Sequence, residues 1–318
     1  MLRRTFLLFI LFYAAFVFAS DGDEKPVFVH CVKKCINSTC PTQLDFTLRL
    51  LKWTCPENCR YTCMQNITDK AIANHTTVYQ YYGKWPFYRF FGIQEPASVL
   101  FSIGNGLVQG YYFFQLHRHT PSNYALRPLL LLYTLIGMNA WVWSTIFHSR
   151  DKRLTTLMDY FSAALYVLYS LYFAIVRVCR IQKKSTMIAL AVVCSCFYAA
   201  HIIYLTCYEF DYVYNMMANV MVGTLQVLVW VCWYVLQKLD CHAIDRPYAY
   251  LAVMSGMGVS LALSLELFDF PPLWRVFDAH SLWHFSTIPL TIIWYRFLME
   301  DMTFETSGKP YQMKLLPS

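Results

Sequence analysis

The sequence predicts an all-α membrane protein, in which a seven-transmembrane helix bundle follows a small disulfide-rich luminal domain. The chain of 318 residues is 57% hydrophobic and 14% charged, whereas soluble proteins are about half apolar and a quarter charged. Long apolar runs begin after about residue 96, and six cysteines with three N-x-T sequons precede them. The formal charge of +7 fits the basic cytosolic loops of a membrane protein, so we expect no nucleic-acid partner.

Residues 1–20 are predicted to be a secretory signal peptide. Arg3 and Arg4 precede an apolar run from Phe6 to Phe18, and Ala19 supplies a small residue at its end. The apolar run is shorter than the roughly 20 residues that a spanning helix needs. An uncleaved anchor is the alternative, and it would leave the downstream topology unchanged.

Residues 21–95 are predicted to form a luminal, N-glycosylated and cysteine-rich domain. The sequons are at Asn37, Asn66 and Asn74. Six cysteines behind a signal peptide indicate disulfides, with 15 pairings left open. The disulfide candidates are Cys31, Cys35, Cys40, Cys55, Cys59 and Cys63. A zinc knuckle is the weaker alternative, because no histidine lies at finger spacing.

Residues 96–299 are predicted to form the seven spans, and residues 300–318 a cytosolic tail. The apolar segments fall at about 97–117, 127–149, 157–177, 186–205, 213–236, 248–267 and 279–298. With the N-terminus in the lumen, the first, third and fifth loops and the tail are basic and cytosolic, as the positive-inside rule expects. One predicted luminal loop, residues 148–153, is basic instead: it either holds an anionic phosphate or is a solvated loop.

Four ionisable residues fall at the predicted luminal ends of three spans. His148 ends the second span, Asp159 begins the third, and His280 and His284 begin the seventh. Charged groups at membrane depth cost roughly 2.5–3.5 kcal/mol on insertion scales and mark functional sites. Three distant stretches of sequence therefore place these groups at one depth.

The spacing of these residues predicts a catalytic zinc site. His280 and His284 lie one helical turn apart, as in the HExxH helix of zinc proteases, and His148 would be a third ligand beside an open position for water. Zinc lowers the pKa of a bound water toward ~7, so hydroxide is available near neutral pH. We expect Asp159 to act as general base, and Ser144, one turn before His148, to stabilise the oxyanion of an attacked ester. Each element alone is a weak signal, since HxxxH pairs arise by chance.

The chain resembles the post-GPI-attachment lipid-remodelling proteins, the GPI-specific phospholipase A2-like branch of the CREST superfamily. The resemblance rests on STIFHSRD (from Ser144), LMDYF (around Asp159), ELFDFPP and FDAHSLWH (ending at His284). It implies removal of the unsaturated sn-2 acyl chain from the lipid of GPI-anchored proteins, with zinc (Zn2+) held by His148, His280 and His284. It implies the Golgi membrane, or the endoplasmic reticulum membrane as the alternative. The tail GKPYQMKLLPS has no dilysine-type signal, which favours the Golgi.

Two alternatives compete with this interpretation, one in mechanism and one in function. In the first, Ser144 is the nucleophile, His148 the base and Asp159 the orienting carboxylate, which leaves the HxxxH pair unexplained. In the second, the chain is a seven-span receptor or an escort for GPI-anchored proteins, with a structural zinc. Metal transport is a poorer fit, because the polar residues form one cluster and no path to the cytosol.

Overall fold

The computed structural model describes residues 21–239, 244–267 and 269–307. The predicted signal peptide and residues 308–318 of the tail lie outside the described residues. Within those ranges the chain is mostly helical and has isolated bridges but no β-strand, which confirms the all-α class. The chain divides into two compact units. Of the described residues, the first contains 21–97, His148–Arg150 and Asp269–Ala279, and the second contains the rest.

The first unit is built on a disulfide-stapled helical hairpin. Its described helices are α1 Asp21–Glu24, α2 Pro26–Thr39, α3 Phe46–Leu50 and α4 Cys55–Ala73. A capping box starts α4, where Thr54 and Glu57 satisfy each other's backbone N–H groups. Phe28 of α2 packs against Tyr81 and is 1% exposed.

The six cysteines form three nested disulfides. They pair as Cys31–Cys63, Cys35–Cys59 and Cys40–Cys55, with Cα atoms 5.7–5.9 Å apart. A spacing of four places Cys31 and Cys35 on one face of α2, and Cys55, Cys59 and Cys63 on one face of α4. Because the two helices run in opposite directions, the first cysteine of α2 pairs with the last cysteine of α4, and the other pairs follow inward. Disulfides are thus confirmed, and the zinc-knuckle alternative is wrong because every sulfur of the cluster is consumed.

The three sequon asparagines are exposed. Asn37 lies on α2, Asn66 lies on α4, and Asn74 is the C-cap residue of α4. All three amides are therefore accessible to a glycosyltransferase, and their glycosylation stays a prediction.

The segment between the sixth and seventh predicted spans belongs to the first unit through Arg275. This arginine is 6% exposed and donates to the Pro86 carbonyl at 3.0 Å. It also contacts the side chains of Asp69 and Gln65, and its carbonyl accepts from the Tyr88 N–H. The DFPP stretch is thus followed by a buried arginine, Arg275, which packs within the cysteine-rich unit.

The second unit is built on seven long helices among the described residues. They are α5 Pro96–His119, α6 Arg127–Ser149, α7 Arg153–Val178, α8 Lys184–Ile203 with a π-turn at Tyr204–Tyr208, α9 Tyr212–Leu239, α10 Tyr250–Leu267 and α11 Ala279–Ser307. Four of these, α6 to α9, are long and apolar enough to cross a membrane, and α10 is a shorter apolar helix. The chain is therefore a multi-pass membrane protein. A count of seven spans stays a prediction, because α10 is a shorter helix and α5 and α11 carry the polar residues described below.

Helix α11 is at the centre of the second unit's aromatic core. Tyr295 and Phe297 are fully buried, and Trp230 of α9 meets Phe297 with ring centroids 5.0 Å apart. Tyr133 of α6 contacts Tyr295 from another side. This packing on several faces fixes the rotation of α11 and therefore the direction of its histidines.

The far end of α11 carries a buried ionic network. Arg177 of α7 donates to both carboxylate oxygens of Asp301, at 2.6 and 2.7 Å, and to Glu305 at 2.7 Å. Tyr248 donates to Asp301 at 2.9 Å, and Arg246 donates to Glu305 at 2.9 Å. Asp301 is 17 residues beyond His284, which is about 25 Å along a helix. This network is therefore separate from the histidine cluster.

Candidate metal centre

The HxxxH pair lies in the first two turns of α11. The Nε2 atoms of His280 and His284 are 2.9 Å apart, and the ring centroids are 4.6 Å apart. A spacing of one helical turn thus places one nitrogen of each ring next to the other, as the sequence predicts.

A chain of two serine hydroxyls holds the other nitrogen of His284. Its Nδ1 lies 3.0 Å from Ser102 Oγ, which lies 3.1 Å from Ser144 Oγ. If Nδ1–H donates to Ser102 and Ser102 donates to Ser144, Nε2 of His284 keeps its lone pair and Ser144 keeps its own proton to donate. Asn105 supports the same residue by donating to the His284 carbonyl at 2.8 Å.

Ser102 belongs to a polar stripe on α5 that the sequence analysis missed. Ser98, Ser102, Asn105 and Gln109 are spaced by four, three and four residues, and each is at most 1% exposed. This spacing places them on one helix face. A polar stripe at helical spacing within an apolar segment was the available signal for Ser102.

His148 is the penultimate residue of α6, and a carboxylate holds its ring. Its Nδ1 lies 2.7 Å from Glu95 Oε2, and Glu95 also forms an ion pair with Lys84. The Glu95 N–H donates to the His148 carbonyl at 3.0 Å, which satisfies a carbonyl at the end of α6. The sequence analysis missed Glu95, although an acidic residue directly before the first apolar segment was visible.

The charge of Glu95 is set by its neighbours. Burial alone would raise the pKa of this carboxyl, but the charge of Lys84 and the hydrogen bond with His148 outweigh burial and hold the pKa well below its usual range. Glu95 is therefore an anion that can accept the Nδ1–H of His148, which leaves the Nε2 lone pair of that ring for another partner.

His148, His280 and His284 form a group that could hold a metal ion. One nitrogen of each ring lies within 4.8 Å of the others. The donor set fits zinc, because three imidazoles suit this ion and an outer partner holds Nδ1 of His148 and of His284. The carboxylate–histidine pair formed by Glu95 and His148 is a common arrangement behind a metal ligand.

The structure also locates the other polar residues that the sequence analysis considered. Ser144 is 6% exposed and joins the site through Ser102. Asp159 is in the second turn of α7 and is partly buried. Its role as general base stays a prediction, as does the role of Ser144. His201 of α8 pairs instead with Asn215 Oδ1 at 3.2 Å.

Comparison with known proteins identifies the family. The sequence profile of the Per1-like family matches residues 45–302. The chain belongs to the Per1-like family. Curated relatives include a GPI-specific phospholipase A2-like PGAP3 from Xenopus laevis, 38% identical over 93% of this chain and 94% of the relative. The Protein PER1 homolog of Schizosaccharomyces pombe is 36% identical over 99% of this chain and 98% of the relative. Human PGAP3 is 33% identical over 95% of each chain.

No solved structure matches the chain. Membership of the Per1-like family confirms the resemblance that the sequence motifs indicate. The motif around His148 and the HxxxH pair are inside the matched region, as are Ser144 and Asp159.

We expect Glu95→Ala to weaken zinc binding by about 10- to 100-fold, because outer partners of metal ligands contribute this much. The measurement is the zinc content and zinc affinity of the purified full-length protein. Glu24→Ala is the control, since Glu24 is an exposed carboxylate of the same unit. Equal zinc affinity in the Glu95 and Glu24 variants would contradict the assigned role of Glu95.

Proposed function

We propose that this protein is a GPI-specific phospholipase A2-like hydrolase that removes the unsaturated sn-2 acyl chain from the lipid of GPI-anchored proteins. The observation that carries the proposal is the histidine group, in which Glu95 and Ser102 hold two rings from behind. The names of its relatives support the reaction class, since they describe GPI-specific phospholipase A2-like proteins.

The residues of the site divide the chemistry among them. His148, His280 and His284 would hold zinc, which when bound would supply a water acidified toward a pKa of ~7. Asp159 accepts a proton as general base. Ser144 donates its hydroxyl proton to the oxyanion that forms on the attacked ester, and Ser102 orients Ser144 at 3.1 Å.

The contacts of Ser144 favour this mechanism over a serine nucleophile. A serine triad needs the serine hydroxyl on the base, but among the described residues the Ser144 hydroxyl hydrogen-bonds Ser102 at 3.1 Å and not His148. Glu95 lies 2.7 Å from Nδ1 of His148, the position that the serine mechanism assigns to Asp159. The serine mechanism also gives no role to His280 and His284, whose nitrogens face each other.

The proposed location is the Golgi membrane, with the endoplasmic reticulum membrane as the alternative. The N-terminus is luminal and the C-terminus cytosolic in this proposal. It places the site at the luminal face, where the lipid of a GPI-anchored protein is reached without crossing the bilayer.

Lipid mass spectrometry of GPI anchors tests the function. Cells that lack the protein should retain the unsaturated sn-2 chain, and restoring the protein should remove it. With purified protein, a zinc chelator should stop release of the acyl chain and added zinc should restore it, whereas a serine-directed phosphonate should have no effect. Unchanged anchors in the deficient cells would contradict the proposal.

A further inference from the structure

A sandwich of two arginines around one tryptophan lies beside the His148 end of α6, in the first unit. The guanidinium carbon of Arg89 lies 3.4 Å from the Trp53 ring centroid, and that of Arg150 lies 3.5 Å from it. Two planar groups cannot share one ring face at these distances, so the arginines cover opposite faces. Trp53 is fixed by donating to the Gly92 carbonyl at 2.9 Å.

The two arginines differ in their anionic partners. Arg150 is paired with Glu57 at 2.6 Å, and the other oxygen of Glu57 accepts from Thr54. Within the described chain, the guanidinium of Arg89 makes one hydrogen bond, a long one of 3.4 Å to Asn58, and no ion pair. Four of its five N–H donors are therefore available, and the side chain is only partly buried.

The positive charge of Arg89 is only partly offset by its neighbours. Burial, followed by the nearby positive charge of Arg150, outweighs the favourable neighbours Tyr61 and Glu57 and lowers the pKa of Arg89 to about 9. The group is still a cation at neutral pH, held rigid between Trp53 and Tyr61, whose ring centroid is 3.9 Å away. A fixed guanidinium with free donors is the usual recognition group for a phosphate oxygen.

We propose that Arg89, backed by Trp53 and Arg150, binds the phosphodiester of the substrate lipid. This inference rests on the proposed function, because it places a phosphate next to the ester that is cleaved. Arg150 follows His148 by two residues, and in a glycerophospholipid the sn-2 ester and the phosphate are on adjacent glycerol carbons. Arg150 belongs to the basic loop of residues 148–153, so this loop supplies one of the two stacked arginines.

The test compares a lipid that carries phosphate with one that does not. Purified full-length protein in detergent is given a short-chain phosphatidylinositol or the diacylglycerol with the same acyl chains, and equilibrium binding and sn-2 hydrolysis are both measured. We expect Arg89→Gln to weaken phosphatidylinositol binding by about 10- to 100-fold, the range for a charged hydrogen bond. Diacylglycerol binding should not change, so the preference for the phospholipid should be lost.

Two further variants serve as a control for lost charge and as a conservative replacement of Arg89. Arg60→Gln removes the same charge from an exposed arginine on α4 and should behave as wild type. Arg89→Lys keeps the charge but loses the planar fork, so an intermediate loss is expected even if Arg89→Gln does not fold. Wild-type phosphatidylinositol binding in both folded Arg89 variants would overturn the proposal.

The remaining outcomes separate the two proposals. If wild-type protein binds phosphatidylinositol through Arg89 but releases no acyl chain, the anion site stands and the hydrolase function fails. If inorganic phosphate competes as strongly as the short-chain lipid binds, the site is one for free phosphate, and the lipid assignment is overturned.

Discussion

Replacement of His284 by alanine is expected to abolish GPI-lipid remodelling, with a loss of at least about 100-fold in acyl-chain release. Loss of an outer partner alone costs up to this factor, and His284 is itself a proposed ligand. Its ring joins Ser102 on one nitrogen and His280 on the other. Removing it therefore disconnects the serine chain from the metal group.

The measurement is made in cells that lack the native protein. GPI anchors are isolated after expression of wild type or His284→Ala, and their sn-2 chains are analysed by mass spectrometry. His201→Ala is the matched control, since it removes a membrane histidine that pairs with Asn215 outside the metal group. The control should remodel as wild type, and the zinc content of both variants should be measured.

Two outcomes would count against the hydrolase. Normal remodelling by a folded His284→Ala protein that has lost its zinc would falsify the metal-dependent mechanism. A variant that remodels no lipid but restores transport of GPI-anchored proteins would favour the escort function, in which zinc has a structural role.

Part of this site could be predicted from the sequence because its geometry is local. The HxxxH spacing alone places His280 and His284 one above the other on a helix. The predicted alternation of spans places His148 and the HxxxH pair on the same side of the membrane. Neither inference needs knowledge of how side chains pack.

Glu95 and Ser102 could not be assigned in the same way. Glu95 meets His148 across 53 residues, and Ser102 meets His284 across 182 residues. Both contacts depend on how helices rotate and pack in three dimensions. The disulfides are intermediate, because the spacing within α2 and α4 limits the pairings but only the antiparallel arrangement of the two helices selects one.

Asp301→Ala is expected to destabilise the bundle by about 3–5 kcal/mol, the usual cost of removing one partner of a buried ion pair. Arg177 is 4% exposed and donates to both Asp301 oxygens, so the substitution leaves a buried guanidinium with Glu305 alone. Tyr248 loses its acceptor as well. Burial strengthens this penalty, because Arg177 and Asp301 are only 4% and 3% exposed.

Thermal unfolding of the detergent-solubilised protein measures this effect. The control is Asp245→Ala, because the Lys238–Asp245 pair is exposed on both sides and should contribute less than about 1 kcal/mol. The Asp301 variant should have a much lower Tm than the control, whereas the zinc affinity of its folded fraction should equal that of wild type. That combination follows from the helix geometry, which separates Asp301 from His284 by about 25 Å. Equal Tm values for the Asp301 and Asp245 variants would show that the network does not hold the bundle together.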